Sequence, residues 1–156
     1  MAHLVIDIGN SRSKIAVFQG DELIRSEKVH DLDTTILGEY LKNSEITHSI
    51  ISSVNDGIIA LEDFLKQRTA YIRFSTLLQT GIENKYKSPA TLGLDRLAGI
   101  IGARTLFPDK NCLVIDAGTC ITYDFVSDKN EYLGGAISPG IRMRYQSLNN
   151  LTAKLP

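Results

Sequence analysis

The feature that most constrains the fold is a short pattern that occurs twice. Asp7 and Gly9 recur as Asp116 and Gly118, and both are displaced by 109 residues (116 − 7 and 118 − 9). In each copy an apolar strand ends at the carboxylate, the chain turns at the glycine, and a second strand follows. Because the repeats of solenoid proteins run to about 20–50 residues, a repeat of this length predicts a duplicated domain.

Hydrophobic periodicity predicts the elements around each copy. Strands are predicted at 3–8, 13–18, 22–29, 48–54 and 71–74, and again at 112–118, 120–127 and 131–138. Helices are predicted at 34–42, 57–68, 92–107 and 139–155, and residues 75–91 are predicted to form a loop. The last helix is predicted to have Ser138 as its N-cap and Pro139 at its first position.

Three strands followed by alternating helices and strands indicate an α/β fold built from a three-stranded meander plus crossover helices. Residues 1–108 are predicted to form the first lobe, and residues 109–156 the start of a second. A three-stranded meander with one helix is a poor independent core. The chain is therefore expected to end before its second domain is complete.

Composition narrows the functional classes. Hydrophobic residues make up 43% of the 156 and charged residues 22%, and the formal net charge is −1. This balance argues against a nucleic-acid-binding protein, because phosphate backbones are held mainly by clustered Lys and Arg. No apolar run approaches the roughly 20 residues of a membrane helix, and no signal peptide is expected. Cys112 and Cys120 lack metal-ligand spacing and are interpreted as small core residues of a soluble cytoplasmic protein, in preference to a metal site or a disulfide.

The stretch DIGNSRSK, residues 7–14, is the first candidate site. Gly9 lets the chain turn and can bring backbone N–H groups close to an anion. The residues after it supply amide, hydroxyl and ammonium donors: Asn10, Ser11, Ser13 and Lys14. Asp7 suits a hydrated Mg²⁺, which prefers one or two carboxylates together with phosphate oxygens. The segment is interpreted as a phosphate cradle, and an ordinary hairpin turn is the alternative.

The second copy of the pattern, DAGT at residues 116–119, is the matching candidate. Asp116 could ligate a cation and Thr119 could donate to a phosphate oxygen, and a hairpin turn is again the alternative. Asp124, in the strand that follows, is expected to face solvent or to close a turn contact. Gly134 and Gly135, adjacent in a predicted strand, indicate close approach of a ligand or of another backbone.

A third candidate is TLGLDRL, residues 91–97, at the start of a predicted helix. In the functional interpretation Asp95 is a general base and Arg96 anchors an anionic or polar substrate. In the structural interpretation Asp95 complements the helix dipole and Arg96 is solvated. Tyr86, in the loop before the helix, could form a wall of the same pocket or could simply pack against the protein.

Taken in order, DIGNSRSK, GLDR, DAGT and YLGGAISPG resemble the motifs of the bacterial type III pantothenate kinases. The resemblance covers essentially the whole chain. That family belongs to the superfamily of acetate kinases, sugar kinases and actin. The resemblance therefore implies duplicated ribonuclease H-like (actin-like ATPase) domains, with the second domain incomplete here because family members continue beyond the equivalent of Pro156.

The resemblance also implies roles for individual residues. The ATP-binding segment comprises Asp7, Ile8, Gly9, Asn10, Ser11, Arg12, Ser13 and Lys14, and Thr119 is a further ATP contact. Asp95 matches the proton acceptor, and the pantothenate-binding positions are Tyr86, Gly93, Leu94, Asp95 and Arg96. Asp116 matches the ligand of an activating monovalent cation, K⁺ or NH₄⁺, and Asp7 would hold Mg²⁺ through water.

The implied reaction is transfer of the ATP γ-phosphate to pantothenate, which gives 4'-phosphopantothenate for coenzyme A synthesis. The implied assembly is a homodimer with pantothenate at the subunit interface. Two alternatives are weighed: a regulatory or accessory relative that binds nucleotide without turnover, and a kinase or phosphatase of the same superfamily with another substrate. The joint presence of Asp7, Asp95, Arg96, Asp116 and Thr119 disfavours the first alternative, because a binding module has no need of a base.

Overall fold

The computed structural model describes residues 1–9, 12–42, 45–53 and 57–152, apart from the side chain of Ala90. Two predicted site residues, Asn10 and Ser11, lie outside the described residues. So do Val54, at the end of a predicted strand, and residues 153–155, at the end of the last predicted helix.

The chain forms two compact units, Met1–Ser75 and Thr76–Pro156. Unit 1 contains a five-stranded sheet in the order β3-β2-β1-β4-β5. Its strands are β1 (Ala2–Ile8), β2 (Ser13–Gln19), β3 (Glu22–Val29), β4 (Ile46–Ser53) and β5 (Ala70–Arg73). Its helices are α1 (Thr34–Lys42) and α2 (Ile59–Lys66). The sequence predicted all seven elements, with bounds that differ by at most two residues among the described positions.

The sheet of unit 1 is mixed. β1 is antiparallel to β2 and parallel to β4, and β5 continues the parallel part of the sheet beside β4. A parallel pair needs a crossover connection between its strands. The connection from β1 to β4 includes α1, and the connection from β4 to β5 includes α2. α1 begins after Asp33, whose Oδ1 accepts a hydrogen bond of 2.8 Å from the N–H of Ile36 and so satisfies an otherwise unpaired helix donor.

One face of this sheet forms the core of unit 1. Alternate residues of each strand point to the same side, so period-2 apolar patterns bury one face. The buried cluster contains Leu4, Ile6, Ile15, Val17, Ile46 and Ile51 from the strands, with Leu37, Tyr40, Leu61 and Leu65 from the two helices. The helices are therefore held by their apolar stripes against this face.

A polar cluster ties α2 to β5. The carboxylate of Glu62 accepts hydrogen bonds from the Tyr71 hydroxyl at 2.7 Å and from Arg73 Nη1 at 2.6 Å, and Arg73 also donates to the Ser53 carbonyl at 3.1 Å. The Tyr71 hydrogen bond, followed by that from Arg73, lowers the pKa of Glu62 below its ordinary value of 4.5. Glu62 therefore stabilises unit 1 in its ionised form.

Replacing Glu62 with glutamine should lower the free energy of unfolding at pH 7 by about 1–2 kcal/mol, because charge-assisted hydrogen bonds are lost. Since the folded-state pKa is depressed, the contribution is complete above the unfolded value near 4.5 and is lost as the pH falls through the folded value. Urea denaturation of both proteins from pH 7 to pH 3 should show the difference shrinking below pH 4.5. Asp63→Asn, at an exposed neighbour in α2, is the control with little effect. A Glu62→Gln deficit that stayed constant down to pH 3 would contradict this assignment.

Unit 2 contains a four-stranded sheet in the order β6-β9-β8-β7. Its strands are β6 (Glu83–Asn84), β7 (Cys112–Ala117), β8 (Cys120–Val126) and β9 (Glu131–Pro139). Its helices are α3 (Leu94–Leu106) and α4 (Ile141–Leu151), and a short 3₁₀ turn spans Pro89–Thr91. β6 lies in the segment predicted as loop, because two residues are too few to show a period.

The predicted start of the last helix is wrong. β9 runs through Pro139, which pairs with Cys120 of β8, and the N-cap of α4 is Gly140, not Ser138. The Gly140 N–H donates to the Thr119 carbonyl at 3.0 Å, so pairing with the β7–β8 hairpin extends the strand at the expense of the helix. The Ser-Pro pair is typical of a helix start, but the tertiary contact decides the boundary.

α3 packs on β7 and β8 within unit 2. A Cβ added at Gly99 would lie 3.4 Å from Val114 Cγ1, so this face of the helix is in van der Waals range of the strand. The compact units thus divide the chain at Ser75, whereas the sequence assigns α3 to a first lobe that ends at residue 108. That lobe boundary stays a prediction about the duplicated domains.

Both cysteines are free thiols. Cys112 is half-buried, but Cys120 is exposed at the start of β8, 4.0 Å from Met143 Sδ, so the prediction that both are core residues is wrong for Cys120. Within the described ranges, no helix combines the length and the apolar character needed to cross a bilayer.

Candidate functional site

The first predicted site residues lie at the β1–β2 turn of unit 1. Lys14 Nζ lies 3.8 Å from Asp7 Oδ2, and the two residues are register partners across the strands. The Gly9 N–H donates to the Arg12 carbonyl at 3.2 Å, and a Cβ at Gly9 would lie 3.1 Å from that oxygen. A side chain at position 9 would crowd the Arg12 carbonyl, so glycine suits this turn, and the Asp7 carboxylate and the Lys14 ammonium lie beside it.

A cleft of about 390 Å³ opens next to the turn. Gly9, Arg12 and Ser13 line it from the turn, and His30 and Gly57 line it from neighbouring loops. The cleft thus joins a guanidinium and a hydroxyl, which are groups that bind anions, with the acidic residue Asp31. This arrangement is compatible with the phosphate cradle predicted from the sequence.

Asp7 offers one carboxylate to a phosphate-borne Mg²⁺. Among the described residues, no three His, Cys, Asp or Glu side chains cluster in a way that could hold a metal ion. Mg²⁺ typically keeps several waters and takes one or two carboxylates plus phosphate oxygens, so it does not need such a cluster. Asp7, half-buried near the end of the central strand β1, supplies one carboxylate of the required kind.

The second turn of the repeat lies between β7 and β8 in unit 2. The Gly118 N–H donates to the Cys120 carbonyl at 2.9 Å, which closes the hairpin. A Cβ at Gly140 would lie 2.4 Å from the carbonyl oxygens of Gly118 and Thr119. The start of α4 is therefore pressed against Thr119, and the partial positive charge of the helix N-terminus favours an anion there. Asp116 is exposed near the end of β7 in the same hairpin.

The third candidate segment forms the beginning of α3. The helix has Gly93 as its N-cap and Asp95 in its first turn. Asp95 Oδ1 accepts a hydrogen bond of 2.9 Å from the Arg96 N–H, and a Cβ at Gly93 would lie 2.4 Å from the same oxygen. Glycine at position 93 thus leaves room for the carboxylate, which is exposed and keeps further lone pairs for another donor.

The structural interpretation, in which Arg96 is solvated, is wrong. Arg96 lies in a buried ion pair. Arg96 is 6% exposed and Asp124 is 1% exposed. Arg96 Nε donates to both oxygens of Asp124 at 3.0 Å, and Nη2 donates to Oδ1 at 2.5 Å. Donation of these hydrogen bonds to Asp124 raises the pKa of the guanidinium above its already high ordinary value.

The prediction that Asp124 faces solvent or closes a turn is wrong. The side chains of Thr122, Asp124 and Val126 alternate along β8 and all three are buried. This alternation is the one signal in the sequence that could have placed Asp124 inside, because Val126 marks the same face as a core face. Its partner Arg96 stands 28 residues away, so no local pattern joins the two.

Two tyrosines complete this buried polar group. The Tyr132 hydroxyl, on a fully buried side chain, donates to Asp124 Oδ1 at 2.6 Å. Burial, with this hydrogen bond as the second cause, raises the pKa of Tyr132. The ring of Tyr86 stacks on that of Tyr132 with centroids 5.9 Å apart, and its hydroxyl accepts from Arg96 Nη1 at 3.4 Å. We call Tyr86, Arg96, Asp124 and Tyr132 the buried polar network.

The glycine pair in β9 gives this network its space. A Cβ at Gly135 would lie 1.8 Å from the Tyr123 carbonyl and 2.6 Å from Asp124 Oδ1. Gly134 has φ of +104°, and a Cβ there would lie 3.3 Å from the Tyr86 ring. The close approach that the sequence predicted is thus made by the protein's own backbone and side chains.

The structure groups the predicted site residues by unit. The described residues of the 7–14 segment lie together in unit 1, and Thr119 and Asp116 share one hairpin of unit 2. Tyr86, Gly93, Leu94, Asp95 and Arg96 lie around the start of α3, also in unit 2. Sequence reasoning missed Asp124 and Tyr132, which hold two of these residues in place.

Residues 3–156 match the family model described as type III pantothenate kinase. The type III pantothenate kinase of Flavobacterium johnsoniae is 42% identical over 158 aligned residues, which cover 98% of this chain and 64% of the relative. That of Christiangramia forsetii is 43% identical over 156 residues, covering 99% and 64%. The chain thus spans about 64% of the length of these relatives.

A solved structure shows the same fold. The type II variant of the Aquifex aeolicus Ppx/GppA phosphatase is 17% identical, with a TM-score of 0.50 over 99% of this chain and 56% of that one. At this identity the similarity concerns the fold alone. It confirms the predicted fold class of actin-like α/β domains.

Proposed function

The chain belongs to the type III pantothenate kinase family, and from this membership we propose that it carries part of an ATP-dependent pantothenate kinase. The reaction is transfer of the ATP γ-phosphate to the hydroxyl of pantothenate, which gives 4'-phosphopantothenate, the first step of coenzyme A synthesis. Because the chain spans 64% of its relatives, the proposal concerns the protein at the length of its family.

The observation that carries the proposal is the arrangement at the start of α3. An exposed carboxylate, Asp95, is adjacent in sequence to a buried guanidinium, Arg96, whose outer edge meets the Tyr86 hydroxyl. An accessible acceptor of protons beside fixed polar groups is what transfer to an alcohol requires. These residues are the ones that match the acceptor-binding segment of the family.

Asp95 is proposed as the general base. A carboxylate is far too weak a base to ionise an alcohol beforehand, but phosphoryl transfer has a loose transition state in which the proton leaves late. The work of Asp95 is then to orient the hydroxyl and to receive its proton as the new P–O bond forms. Gly93, Leu94 and Arg96 position the acceptor, and Tyr86 forms a wall beside it.

The segment of residues 7–14 is proposed to contact the phosphates of ATP, and Thr119 is proposed as a further ATP contact. In the described part of the segment the donors are the side chains of Arg12, Ser13 and Lys14, and Ile8 and Gly9 form the backbone of the turn beside them. Asp7 would hold Mg²⁺ through water, and that ion, when bound, neutralises charge on the phosphate oxygens.

Asp116 is proposed as a ligand of the activating monovalent cation, K⁺ or NH₄⁺. Asp116→Asn should raise the K⁺ concentration for half-maximal activation about tenfold or more, since ligand charge sets cation affinity at oxygen sites. The measurement is the rate in K⁺ relative to Na⁺ over a concentration series. Asp128→Asn, an exposed aspartate after β8, is the control that should behave as wild type. An unchanged K⁺ response in Asp116→Asn would place the cation elsewhere.

We further propose a cytoplasmic homodimer with pantothenate at the subunit interface, and no nucleic-acid or membrane partner. Family resemblance supports this assembly. Sedimentation of the protein at the length of its relatives tests it, with a dimer as the expected species and a monomer at assay concentrations as the contradicting one.

The function is tested by ADP release from Mg·ATP with and without pantothenate. We expect release that depends on pantothenate and that is greater in K⁺ than in Na⁺, and the assay should be run on this chain and on the chain extended to the length of its relatives. If the extended protein binds ATP and folds but releases no ADP with pantothenate, it is a non-catalytic relative or a kinase with another acceptor.

A further inference from the structure

The strongest feature that the proposed function leaves unexplained is the buried carboxylate of Asp124. Residues at 1% exposure with a charged side chain are rare, and a buried ion pair is not needed for stability, because apolar residues of similar volume serve as well. The network is also completely satisfied: among the described residues, no buried side-chain nitrogen or oxygen lacks a hydrogen-bond partner. Such networks hold side chains in one geometry.

The contacts of Asp124 determine how the Arg96 guanidinium is oriented. Asp124 takes the edge formed by Nε and Nη2, through three hydrogen bonds of 2.5–3.0 Å. The planar guanidinium can satisfy a carboxylate in this two-point manner in few orientations. Nη1 is therefore left directed at the Tyr86 hydroxyl, 3.4 Å away.

Tyr132 holds both Asp124 and the Tyr86 ring in place. Its hydroxyl donates to Asp124 Oδ1 at 2.6 Å, and its ring stacks on Tyr86 at 5.9 Å with an interplanar angle of 13°. One buried pair, Asp124 and Tyr132, thus contacts both Arg96 and Tyr86. With Asp95, these are the polar side chains that the proposed function assigns to acceptor binding.

We propose that Asp124 is a positioning residue of the acceptor site: held by Tyr132, it fixes the Arg96 guanidinium against the Tyr86 hydroxyl and thereby sets the affinity for the acceptor. Asp124 itself does not touch the acceptor. The inference rests on the proposed function for the identity of the acceptor, but the geometry of the network is independent of it.

The kinetic test compares Asp124→Asn with a matched control in the protein at the length of its relatives. Asp124→Asn keeps the shape and one oxygen but removes the charge, and we expect KM for pantothenate to rise about 10- to 100-fold, as for other residues that orient a ligand-binding group. KM for ATP should stay within about twofold of wild type, since the ATP contacts are not altered.

The control is Asn130→Gly. Asn130 Oδ1 accepts from Arg104 Nε at 2.7 Å, so this variant removes the side-chain partner of the other buried arginine of α3, which keeps its bonds to backbone carbonyls. Glycine tolerates the φ of +63° at position 130. Both variants should lower stability, but only Asp124→Asn should raise KM for pantothenate. Equal KM values in the two variants would mean that Asp124 is merely structural and would overturn the proposal.

Tyr132→Phe covers the case in which Asp124→Asn fails to fold. It removes only the 2.6 Å hydrogen bond and keeps the stacked ring, so we expect a smaller, selective rise in KM for pantothenate of about 3- to 10-fold. A Tyr132→Phe variant that is less stable yet has an unchanged KM for pantothenate would also overturn the proposal.

An NMR measurement, which needs no catalytic turnover, separates this inference from the proposed function. In NMR spectra the Arg96 Nε–H should exchange slowly in wild type and rapidly in Tyr132→Phe or Asp124→Asn, and added pantothenate should shift its resonance in wild type. Loss of protection without any pantothenate shift would confirm the positioning of Arg96 and reject pantothenate as the ligand. Retained protection in both variants would reject the positioning itself.

Discussion

Asp95→Asn should lower the rate of pantothenate phosphorylation about 10²- to 10⁴-fold, the usual range for loss of a general base. Asparagine keeps the size of the side chain and can still accept from the Arg96 N–H at 2.9 Å, so the helix start should be preserved. What is lost is the group that receives the proton of the acceptor hydroxyl. KM for ATP should change little, because Asp95 lies outside the predicted ATP segment.

The measurement is kcat and the KM for pantothenate at saturating Mg·ATP, then the KM for ATP at saturating pantothenate, with urea denaturation to verify the fold. Asp109→Asn is the matched control, since Asp109 is exposed just after α3 and its φ of +59° suits asparagine equally well. If Asp95→Asn kept near-normal turnover and lost only some helix stability, the carboxylate would serve the helix dipole and the assignment of the base would be wrong.

Gly135→Ala should destabilise unit 2 by about 3 kcal/mol or more, at the upper end of single substitutions. The added Cβ would lie 1.8 Å from the Tyr123 carbonyl, so the backbone of β8 or β9 must move. Any such movement also disturbs Asp124, whose Oδ1 would be 2.6 Å from the new atom. The buried Arg96 would then face an imperfectly placed partner, and buried charges without good partners are strongly unfavourable.

Gly102→Ala is the matched control for this substitution. Gly102 lies in α3 with nothing within 4 Å of an added Cβ, so alanine should raise the free energy of unfolding by about 0.5–1 kcal/mol through its higher helix propensity. Urea denaturation of both variants gives the comparison. Equal stabilities for Gly135→Ala and wild type would mean that β8 and β9 can separate without cost, which would contradict the described packing.

The strands and helices of unit 1 could be predicted from sequence because each has a clear period and a local boundary signal. Alternation of apolar residues marks β1 and β2, and helical spacing marks α1 and α2. The start of α4 could not be predicted in this way. Its boundary is set by the contact of Gly140 with the Thr119 carbonyl, 21 residues earlier (140 − 119), and the local Ser-Pro signal points elsewhere.

For the candidate site, too, residues with a local sequence signal could be predicted and residues placed by distant contacts could not. Asp7, Asp95 and Asp116 could be predicted as candidates because each lies two residues from a glycine at a turn or helix start. Turns and helix starts of this kind can be recognised from the sequence. Asp124 could not be predicted, because a charged residue in a strand usually faces solvent and its burial depends on a partner in α3. The glycine pair correctly predicts a close approach to β9. The sequence alone does not show whether a ligand or the protein's own Tyr123 carbonyl makes that approach.

The most direct test of the proposed function is transfer of labelled phosphate from [γ-³²P]ATP to pantothenate, measured for this chain and for the chain extended to the length of its relatives. We expect labelled 4'-phosphopantothenate from the extended protein in K⁺, formed about 10²- to 10⁴-fold more slowly by Asp95→Asn. A folded extended protein that binds ATP but transfers no label to pantothenate would contradict the proposed kinase activity.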